Sequence, residues 1–331
     1  MRPRVGFLGL GWIGRHRMQA VRDAGAVTVA ALADADETAR AEAAAFAPEA
    51  DVVAEDLETL LHCDLDGLVI ATPSALHAEQ AIAALDAGLA VFCQKPLGRT
   101  AAEAEAAVAA ARRADRLLAI DMSYRHCAAT RPLRDLALSG ELGRVFAGEF
   151  VFHTAYGPDR PWYRDPRLAG GGCVADLGIH LVDLALWSLG FPAVVAVESR
   201  LYAQGSRLPP APEAVEDFAV ATLETADGAT LSLACSWNLA AGCDCVIGAR
   251  LFGTESGVGL ANDGGYYDFT TERYVGTTTE VLVRPPDAWG GRAAADWSRR
   301  LAEGEGYDPA AAEIVAVAEV IDRIYGRVTS R

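Results

Sequence analysis

The chain has 331 residues, 51% of them hydrophobic, and its 29 basic and 45 acidic residues give a formal net charge of −16. The apolar content excludes a disordered chain and is sufficient for two ordinary domains with cores of their own. The acidic balance argues against nucleic acid or an anionic membrane surface as a partner.

Two further features of the composition bear on location and chemistry. No cleavable leader and no bilayer-spanning segment is evident in the sequence, so we expect a cytoplasmic protein with no membrane partner. The seven cysteines are scattered without a CxxC pair, a pattern that favours reduced thiols over disulfides or zinc. We therefore expect no metal site.

The first third of the chain alternates short apolar runs with Ala-rich helical stretches. Such alternation is typical of a parallel sheet covered by helices on both faces, which binds ligands at the carboxyl ends of its strands. We predict an α/β, doubly wound domain over residues 1–121. Its predicted strands are 4–8, 27–33, 67–71, 90–93 and 117–121.

Beyond residue 122 the pattern changes to that of an α+β domain, which we assign to residues 122–331. From Thr230 to Trp237, apolar and polar residues alternate, which predicts a one-sided strand in a large, mostly antiparallel open sheet. The other predicted elements are helices over 132–138, 173–189 and 309–325, a strand over 144–153, and surface loops over 205–212 and 287–291.

A glycine-rich loop, Gly9-Leu10-Gly11-Trp12-Ile13-Gly14, follows the first strand and opens a helix. In a GxGxxG loop the first glycine allows a tight turn. The second lets backbone N–H groups approach a pyrophosphate, and the third permits close packing of the helix. Alone, this motif could be three turn glycines without a ligand.

Asp34 strengthens the case for a dinucleotide, because it follows Gly14 by 20 residues at the end of the second strand. A carboxylate there accepts hydrogen bonds from the adenosine ribose and repels a 2′-phosphate. The sequence therefore favours NAD over NADP, although Arg15 or Arg40 would be placed to reach a phosphate.

Asp176 and His180 lie four positions apart just after three glycines, Gly170 to Gly172. On a helix this spacing puts both side chains on one face, so that the carboxylate can orient the imidazole for general acid-base catalysis. The alternative is an ordinary pair of helix surface residues. A nucleotide loop in the same chain favours catalysis.

Four motifs together resemble those of the Gfo/Idh/MocA family, named after glucose-fructose oxidoreductase, inositol dehydrogenase and MocA. These motifs are Val5–Gly14, the stretch Asp66–Ser74 leading to His77, Lys95-Pro96, and Gly170–Asp183. The resemblance is strongest over residues 4–124 and 140–190. It implies an NAD(P)-dependent oxidoreductase with a Rossmann domain and a second domain for substrate binding and oligomerisation.

The resemblance also implies the roles of individual residues. His180 would accept the hydroxyl proton while a hydride leaves the same carbon, Lys95 would bond the reacting oxygen, and Asp176 would hold the imidazole. Lys95 is the only lysine in the chain, and the family often has a cis bond before Pro96. The cofactor-binding residues implied are Gly9, Gly11, Trp12, Ile13, Gly14, Asp34, Thr72, Pro73, His77, Gln94 and Lys95.

One residue departs from the family pattern, because Gln94 occupies the position where the family usually has Glu before Lys-Pro. This change affects an expected contact with the nicotinamide ribose. The residues expected to contact substrate are Tyr124, Arg125, Trp162, Tyr163, Asp176 and His180, with Asp183 one turn beyond His180. Aromatic faces and charged groups together suit a polyhydroxylated or aminated ring, such as a sugar, a cyclitol or an aminoglycoside-like molecule.

Three functions are compatible with these residues. The first is oxidation of a secondary hydroxyl with NAD⁺, the second is ketoreduction of a nucleotide-linked sugar, and the third is sensing of dinucleotide and sugar without turnover. Retention of histidine at position 180 favours the inositol and sugar alcohol dehydrogenase side of the family. Relatives usually pair through the second domain, so we expect a homodimer or homotetramer that uses the face of Thr230, Ser232, Ala234 and Ser236.

Overall fold

A computed structural model describes residues 2–327 of the chain. Clustering of contacts divides it into two compact units. Among the described residues, one comprises 2–121 and 291–315, and the other comprises 122–290 and 316–327. Met1 and the last four residues of the chain lie outside the described range.

The first unit contains a six-stranded parallel sheet in the order β3-β2-β1-β4-β5-β6. The strands are β1 (Arg4–Leu8), β2 (Thr28–Ala33), β3 (Val52–Ala54), β4 (Gly67–Ile70), β5 (Ala90–Cys93) and β6 (Leu118–Ile120). The helices between them are α1 (Trp12–Ala24), α2 (Glu37–Phe46), α3 (Leu57–Leu61), α4 (Ser74–Asp86) and α5 (Ala101–Ala114). The predicted doubly wound Rossmann fold is confirmed, with β3 and α3 added to the predicted elements.

The second unit contains a nine-stranded sheet in the order β15-β14-β13-β12-β7-β11-β10-β8-β9. Only the pair β7 and β11 is parallel among these strands of the described chain. The strands are β7 (Val145–Thr154), β8 (Val194–Ala203), β9 (Ser206–Arg207), β10 (Phe218–Thr225), β11 (Thr230–Ser236), β12 (Cys245–Gly253), β13 (Gly257–Asn262), β14 (Phe269–Val275) and β15 (Thr278–Val283). The predicted large, mostly antiparallel sheet is confirmed.

Helices cover one face of this sheet. Along β11, Leu231, Leu233 and Cys235 are buried on the covered face, whereas Thr230 and Ser232 are exposed on the other. The helices of the second unit before β8 are α6 (Arg131–Ser139), the short α7 (Pro166–Ala169) and α8 (Ile179–Ser188), and α8 is preceded by a π-helical turn, Val174–Gly178. Short 3-10 turns span Ser123–His126, Pro161–Arg164 and Pro309–Ala312.

The apolar stretch Pro166–Ser188 passes a length and composition test for a membrane-spanning helix. However, 83% of its most apolar window is buried inside the protein. A core helix that packs on a sheet has this composition as well, because all of its faces meet other parts of the chain. The stretch is therefore weak evidence for a membrane.

The segment after residue 290 differs from the sequence prediction. Trp289 is 5% exposed and donates its indole N–H to Tyr267 O at 2.8 Å, so the predicted surface loop 287–291 contains a core residue. Helix α9 (Arg292–Ala302) follows it and belongs to the first unit. The last helix, α10 (Glu313–Ile324), starts four residues later than predicted, after a 3-10 turn.

Helix α9 completes the core of the first unit. Trp297 on this helix is 1% exposed and packs against Phe92 of β5 with ring centroids 5.9 Å apart. A Cβ added to Gly67 would lie 3.0 Å from the Trp297 ring, so this position at the start of β4 is small because the indole covers it. Residues 291–315, which the sequence pattern assigns to the second domain, thus stabilise the first.

Three glycines precede the helical stretch that carries Asp176 and His180. Gly170 has φ +81°, in the left-handed region that favours glycine. A Cβ on Gly171 would lie 1.9 Å from Tyr325 Oη, and a Cβ on Gly172 would lie 1.9 Å from the carbonyl oxygen of Glu216. Each glycine therefore meets a different steric requirement, and together they let two other segments approach the start of this helix.

The buried carboxylate of Glu216 satisfies the first N–H groups of this helical stretch. It accepts hydrogen bonds from the backbone N–H of Gly172 at 3.0 Å and of Val174 at 2.9 Å, and from Tyr325 Oη at 2.8 Å. The Tyr325 oxygen in turn accepts from Ala175 N at 3.1 Å. Burial raises the pKa of Glu216, whereas these donors act to lower it. A carboxylate here pairs backbone N–H groups that would otherwise be orphaned at a helix start.

We expect Trp297→Ala to lower the free energy of unfolding by about 3–5 kcal/mol, because it leaves a cavity beside Phe92 and Gly67. Urea unfolding measures the loss. Trp12→Ala is the matched control, since Trp12 is 62% exposed and should change stability by less than about 0.5 kcal/mol. Equal effects of the two changes would contradict the assigned packing of α9.

We expect Glu216→Gln to lower the free energy of unfolding by about 1–3 kcal/mol, because an amide nitrogen replaces an acceptor of buried donors. Glu213→Gln, a change at an exposed position in the same loop, is the control in the same denaturation experiment. Matching curves for the two variants would show that the Glu216 carboxylate does not stabilise the helix start.

Candidate functional site

In the first unit, the glycine loop has the local geometry of a phosphate-binding loop. Gly9 has φ +90°, and a Cβ there would lie 2.5 Å from the carbonyl of Ala71. A Cβ on Gly14 would lie 2.0 Å from Gly9 O, but a Cβ on Gly11 meets nothing within 4 Å. Gly9 and Gly14 are thus required by the fold, while Gly11 faces open space in which a ligand can approach the backbone.

The start of α1 is suited to an anion. Within the described chain, no side chain caps this helix and no acidic residue lies in its first turn, so its N–H groups and positive dipole end are available. Trp12 is exposed and Ile13 is half-buried at this point. These features fit the pyrophosphate of a dinucleotide.

Asp34 lies directly beside the glycine loop. Its Oδ2 accepts a hydrogen bond from Leu10 N at 2.7 Å, and its Oδ1 accepts from Asp36 N at 2.9 Å. Each carboxylate oxygen has a second lone pair, so the same group can accept from ribose hydroxyls. The carboxylate is thereby fixed in place before any ligand binds.

The two arginines that would be placed to reach a 2′-phosphate are engaged elsewhere. Arg15 Nη1 lies 2.6 Å from Glu42 Oε2. Arg40 Nη1 donates to the carbonyl of Asp34 at 2.7 Å, and its Nη2 lies 3.2 Å from Glu55 Oε1. These contacts agree with the preference for NAD over NADP.

The loops after β4 and β5 are joined by a buried histidine. His77 is 1% exposed, and its ring nitrogens lie 2.7 Å from Thr72 O and 2.7 Å from Pro96 O. Burial lowers the pKa of this imidazole, and the two carbonyls oppose that shift. His77, predicted to bind cofactor, thus holds the Thr72-Pro73 loop to the loop that contains Lys95.

Lys95 follows β5 and is half-buried. The Lys95-Pro96 peptide bond is cis, as the family resemblance implies. Gln94, predicted to contact the nicotinamide ribose, is 8% exposed and donates its side-chain amide to Asp121 Oδ2 at 2.5 Å. Its observed partner is therefore another side chain of the first unit.

In the second unit, the structure changes the local geometry expected for Asp176 and His180. Asp176 lies in the π turn Val174–Gly178, and His180 lies in α8, whereas the sequence predicts one regular helix over 173–189. A π turn adds a residue to the helical repeat and is frequent at functional sites. A spacing of four therefore does not by itself place Asp176 and His180 on one helix face.

Asp176 has a partner that the sequence does not reveal. Its Oδ2 accepts a hydrogen bond from Trp237 Nε1 at 3.1 Å. Trp237 follows β11 and is 4% exposed, so the strand and the π turn are joined by this contact. A carboxylate that is held in this way has a defined position on the helix.

His180 lies among aromatic side chains. Its ring centroid is 5.1 Å from that of Tyr124 in an edge-to-face arrangement and 6.5 Å from that of Phe152. Tyr124 is 8% exposed and also packs on Trp289 at 5.0 Å. Burial raises the pKa of the Tyr124 phenol, which keeps it neutral beside the imidazole.

Arg125, predicted to contact substrate, forms a buried ion pair. Its Nη2 lies 2.6 Å from Asp183 Oδ1, and its Nε lies 3.1 Å from both carboxylate oxygens. Asp183 is 2% exposed. This bidentate pair joins the turn after β6 to α8 and fixes the helix one turn beyond His180.

Trp162 and Tyr163 form a stacked pair with ring centroids 3.8 Å apart. Tyr163 also meets Trp237 edge to face at 6.4 Å. The pKa of Tyr163 is raised by burial and then by the charges of Asp176 and Asp159. The predicted aromatic loop thus lies near the carboxylate of Asp176.

Three contacts of the site were missed by sequence reasoning. Trp237 was assigned only to the covered face of a strand, and neither Glu216 nor Tyr325 was singled out. Each residue is more than 40 positions from its partner on the helix, so no local spacing could reveal the contacts. Among residues 2–327, no cluster of His, Cys, Asp or Glu has the arrangement of a metal site.

Comparison with family models matches both parts of the chain. Residues 3–122 match the oxidoreductase family with an NAD-binding Rossmann fold, and residues 130–258 match the GFO/IDH/MocA C-terminal domain. The first unit is therefore an NAD-binding domain. The Rossmann match covers the glycine loop, Asp34 and Lys95, and the second match covers Asp176 and His180.

Several similar proteins are dehydrogenases of sugars and cyclitols. D-apiose dehydrogenase of Paraburkholderia graminis is 31% identical, over 85% of this chain and 73% of the relative. Inositol 2-dehydrogenase of Acidiphilium cryptum is also 31% identical, over 79% of this chain and 74% of the relative. Other matches are shorter. The match with D-glucoside 3-dehydrogenase of Escherichia coli has 32% identity and covers 54% of this chain and 54% of that relative, so the chain spans about half of the relative's length.

Solved structures share the architecture along nearly the whole chain. GenD2 from gentamicin A biosynthesis, in complex with NAD, has a TM-score of 0.82 and 27% identity, and the match covers 98% of this chain and 94% of GenD2. Levoglucosan dehydrogenase with NADH and L-sorbose has a TM-score of 0.84 at 22% identity, covering 99% of this chain and 97% of the other. At that identity the second likeness concerns the fold alone. The chain belongs to the Gfo/Idh/MocA family of oxidoreductases.

Proposed function

We propose that the protein is an NAD-dependent oxidoreductase that transfers a hydride between nicotinamide and a secondary alcohol or ketone of a sugar, cyclitol or aminosugar. The observations that carry this proposal are the aromatic environment of His180 on α8 and the contact of Trp237 that fixes Asp176 in the preceding π turn. An imidazole on a helix anchored by Glu216 and by the Arg125–Asp183 pair is suited to proton transfer.

Each proposed catalytic side chain has one role. NAD⁺, when bound, accepts the hydride from the carbinol carbon. His180 takes the hydroxyl proton, and the ammonium of Lys95 stabilises the negative charge that develops on the oxygen. Asp176 orients His180 electrostatically. Lys95 and His180 belong to different units, so their joint action on one carbon is part of the proposal.

Asp34 supports the choice of NAD. Its carboxylate is held beside the glycine loop by Leu10 N and Asp36 N, where a 2′-phosphate would meet a fixed negative charge. We propose that Gly9, Gly11 and Gly14 with Trp12 and Ile13 contact the pyrophosphate, and that Thr72 and Pro73 contact the nicotinamide half. In contrast, His77 and Gln94 act through the loops that they hold.

The proposed substrate is a polyhydroxylated or aminated ring. The stacked pair Trp162 and Tyr163 offers an apolar face near Asp176, which suits the C–H side of a sugar ring. The relatives act on apiose, inositol and glucosides, and GenD2 comes from the biosynthesis of gentamicin A. The net charge of −16 is compatible with a cationic aminated substrate.

We further propose a cytoplasmic homodimer or homotetramer formed through the uncovered face of the large sheet. On that face Thr230 and Ser232 are exposed and Ala234 is half-buried, whereas Ser236 is buried and bonds His153 at 2.8 Å. Across it, Arg250 of β12 is the register partner of Glu149 of β7. Small side chains on this face allow a second sheet to pack closely.

The proposed activity is tested by absorbance at 340 nm with NAD⁺ or NADP⁺ and a panel of inositols, hexoses, glucosides and aminoglycosides. With a substrate so found, His180→Ala should lower kcat by about 10²- to 10⁴-fold, because the general base is lost, while NAD⁺ affinity stays close to wild type. His62→Ala is the control, since His62 is exposed. Full activity of His180→Ala would exclude the mechanism, and absence of turnover with every substrate would favour the sensor.

Light scattering at micromolar concentration tests the assembly. We expect a particle of at least twice the chain mass of 34.9 kDa. Replacing Ser232 by Arg should shift the protein toward the monomer, because a long charged side chain on the uncovered face prevents close approach of a second sheet. A 34.9 kDa particle for the wild type at all concentrations would remove the proposal.

A further inference from the structure

A buried polar cluster, consisting of Arg17, Gln94 and Asp121, lies at the carboxyl ends of β5 and β6. Asp121 Oδ2 is 2.5 Å from Arg17 Nε and 2.5 Å from Gln94 Nε2. We propose that Asp121 is a positioning residue that fixes Gln94, and through it Lys95, and that the cluster requires a single carboxylate shared between positions 94 and 121. The catalytic part of this proposal rests on the proposed role of Lys95.

Burial makes the charge of this cluster important. Arg17 is 7% exposed, Asp121 is 1% exposed and Gln94 is 8% exposed. The Arg17 guanidinium faces the Asp121 carboxylate here, and the amide of Gln94 adds a donor without adding charge. A second carboxylate at position 94 would face Asp121 at hydrogen-bond distance in a site with little water, where two like charges strongly disfavour each other.

Two titratable groups beside the cluster, His16 and Cys93, are neutral near pH 7. His16 Nδ1 lies 2.8 Å from Arg17 Nη1, and burial, followed by the charge of Arg17, lowers the pKa of His16 while Asp121 opposes the shift. On β5, burial and then Asp121 raise the pKa of the Cys93 thiol. Both groups are therefore neutral near pH 7, and the pairing of Arg17 with Asp121 dominates the cluster.

The backbone connects the cluster to Lys95. Gln94 N donates to Ile70 O at 2.9 Å, and Asp121 N donates to Cys93 O at 2.9 Å. The residue before Lys95 therefore lies at a hydrogen-bonded strand end. Beyond Lys95, Pro96 O is held by His77 at 2.7 Å. Lys95 thus lies between two anchors. The first comprises these backbone bonds together with the Gln94 side chain on Asp121, and the second is the contact of His77 with Pro96.

Within this cluster the carboxylate beside Arg17 comes from position 121, and position 94 supplies an amide that donates to it. The amide at position 94 and the acid at position 121 are therefore matched to each other. Changing one alone should damage the site, and exchanging both should restore it.

The test compares Gln94→Glu with the exchanged variant Gln94→Glu/Asp121→Asn. Binding of NAD⁺ is measured by isothermal titration calorimetry from pH 6 to 8.5, and thermal unfolding is followed in parallel. Gln94→Glu should bind NAD⁺ about tenfold more weakly than wild type at pH 8. The loss of NAD⁺ affinity should become smaller toward pH 6, because one of the two carboxylates at positions 94 and 121 then takes up a proton.

In the exchanged variant, the carboxylate introduced at position 94 accepts from the amide introduced at position 121 and from Arg17, so the cluster again holds one carboxylate. Its NAD⁺ affinity and melting temperature should return to within about twofold and a few degrees of wild type at every pH. Asp86→Asn, which removes an exposed carboxylate 3.3 Å from Arg113, is the control. Because binding and unfolding need no turnover, these readouts test the cluster even if the proposed activity is wrong.

Two outcomes would overturn the proposal. Gln94→Glu could bind NAD⁺ like wild type at pH 8, which would show that the cluster accepts two carboxylates. Alternatively, the exchanged variant could be as impaired as Gln94→Glu, which would show that the two positions are not matched. Once a substrate is identified, kcat can be compared among wild type, Gln94→Glu and the exchanged variant. If kcat falls in Gln94→Glu and recovers in the exchanged variant, with little change in substrate KM, the positioning role extends to Lys95.

Discussion

The carboxylate of Glu216 at the start of the π turn and α8 is the interaction on which the proposed site depends. It pairs the N–H groups of Gly172 and Val174 and is itself bonded by Tyr325. Without a partner, buried N–H groups at a helix start are costly, and the turn that carries Asp176 would lose its anchor. Gly171 and Gly172 before it are required because Tyr325 and the backbone of Glu216 approach the start of the helix closely.

Most of the fold was predictable from local pattern. Alternating apolar runs and a glycine loop predicted the parallel sheet, and strict alternation over Thr230–Trp237 predicted the covered face of β11. The π turn was not predictable, because an inserted residue leaves the apolar pattern of a helix nearly unchanged. The place of helix α9 in the first unit was not predictable for a different reason. A short amphipathic segment does not reveal which of two cores it joins.

The candidate site was likewise predictable where a local motif exists and not where a contact joins distant positions. Residues with a motif of their own, such as Gly9, Asp34, Lys95 and His180, could be named from the sequence. Their supports could not, because the contacts of Trp237 with Asp176 and of Arg125 with Asp183 join positions more than 50 residues apart. Two side chains predicted to contact ligands, His77 and Gln94, also have buried protein partners that the motifs do not reveal.

The return of α9 to the first unit constrains how this protein can be divided or recombined. The chain passes from one unit to the other after residues 121, 290 and 315, so neither unit is encoded by an uninterrupted stretch of gene. A fragment that stopped at Asp121 would expose Phe92 and Gly67 where Trp297 normally covers them. Chimeras that exchange the nucleotide domain with a homologue would therefore need to carry residues 291–315 along with it.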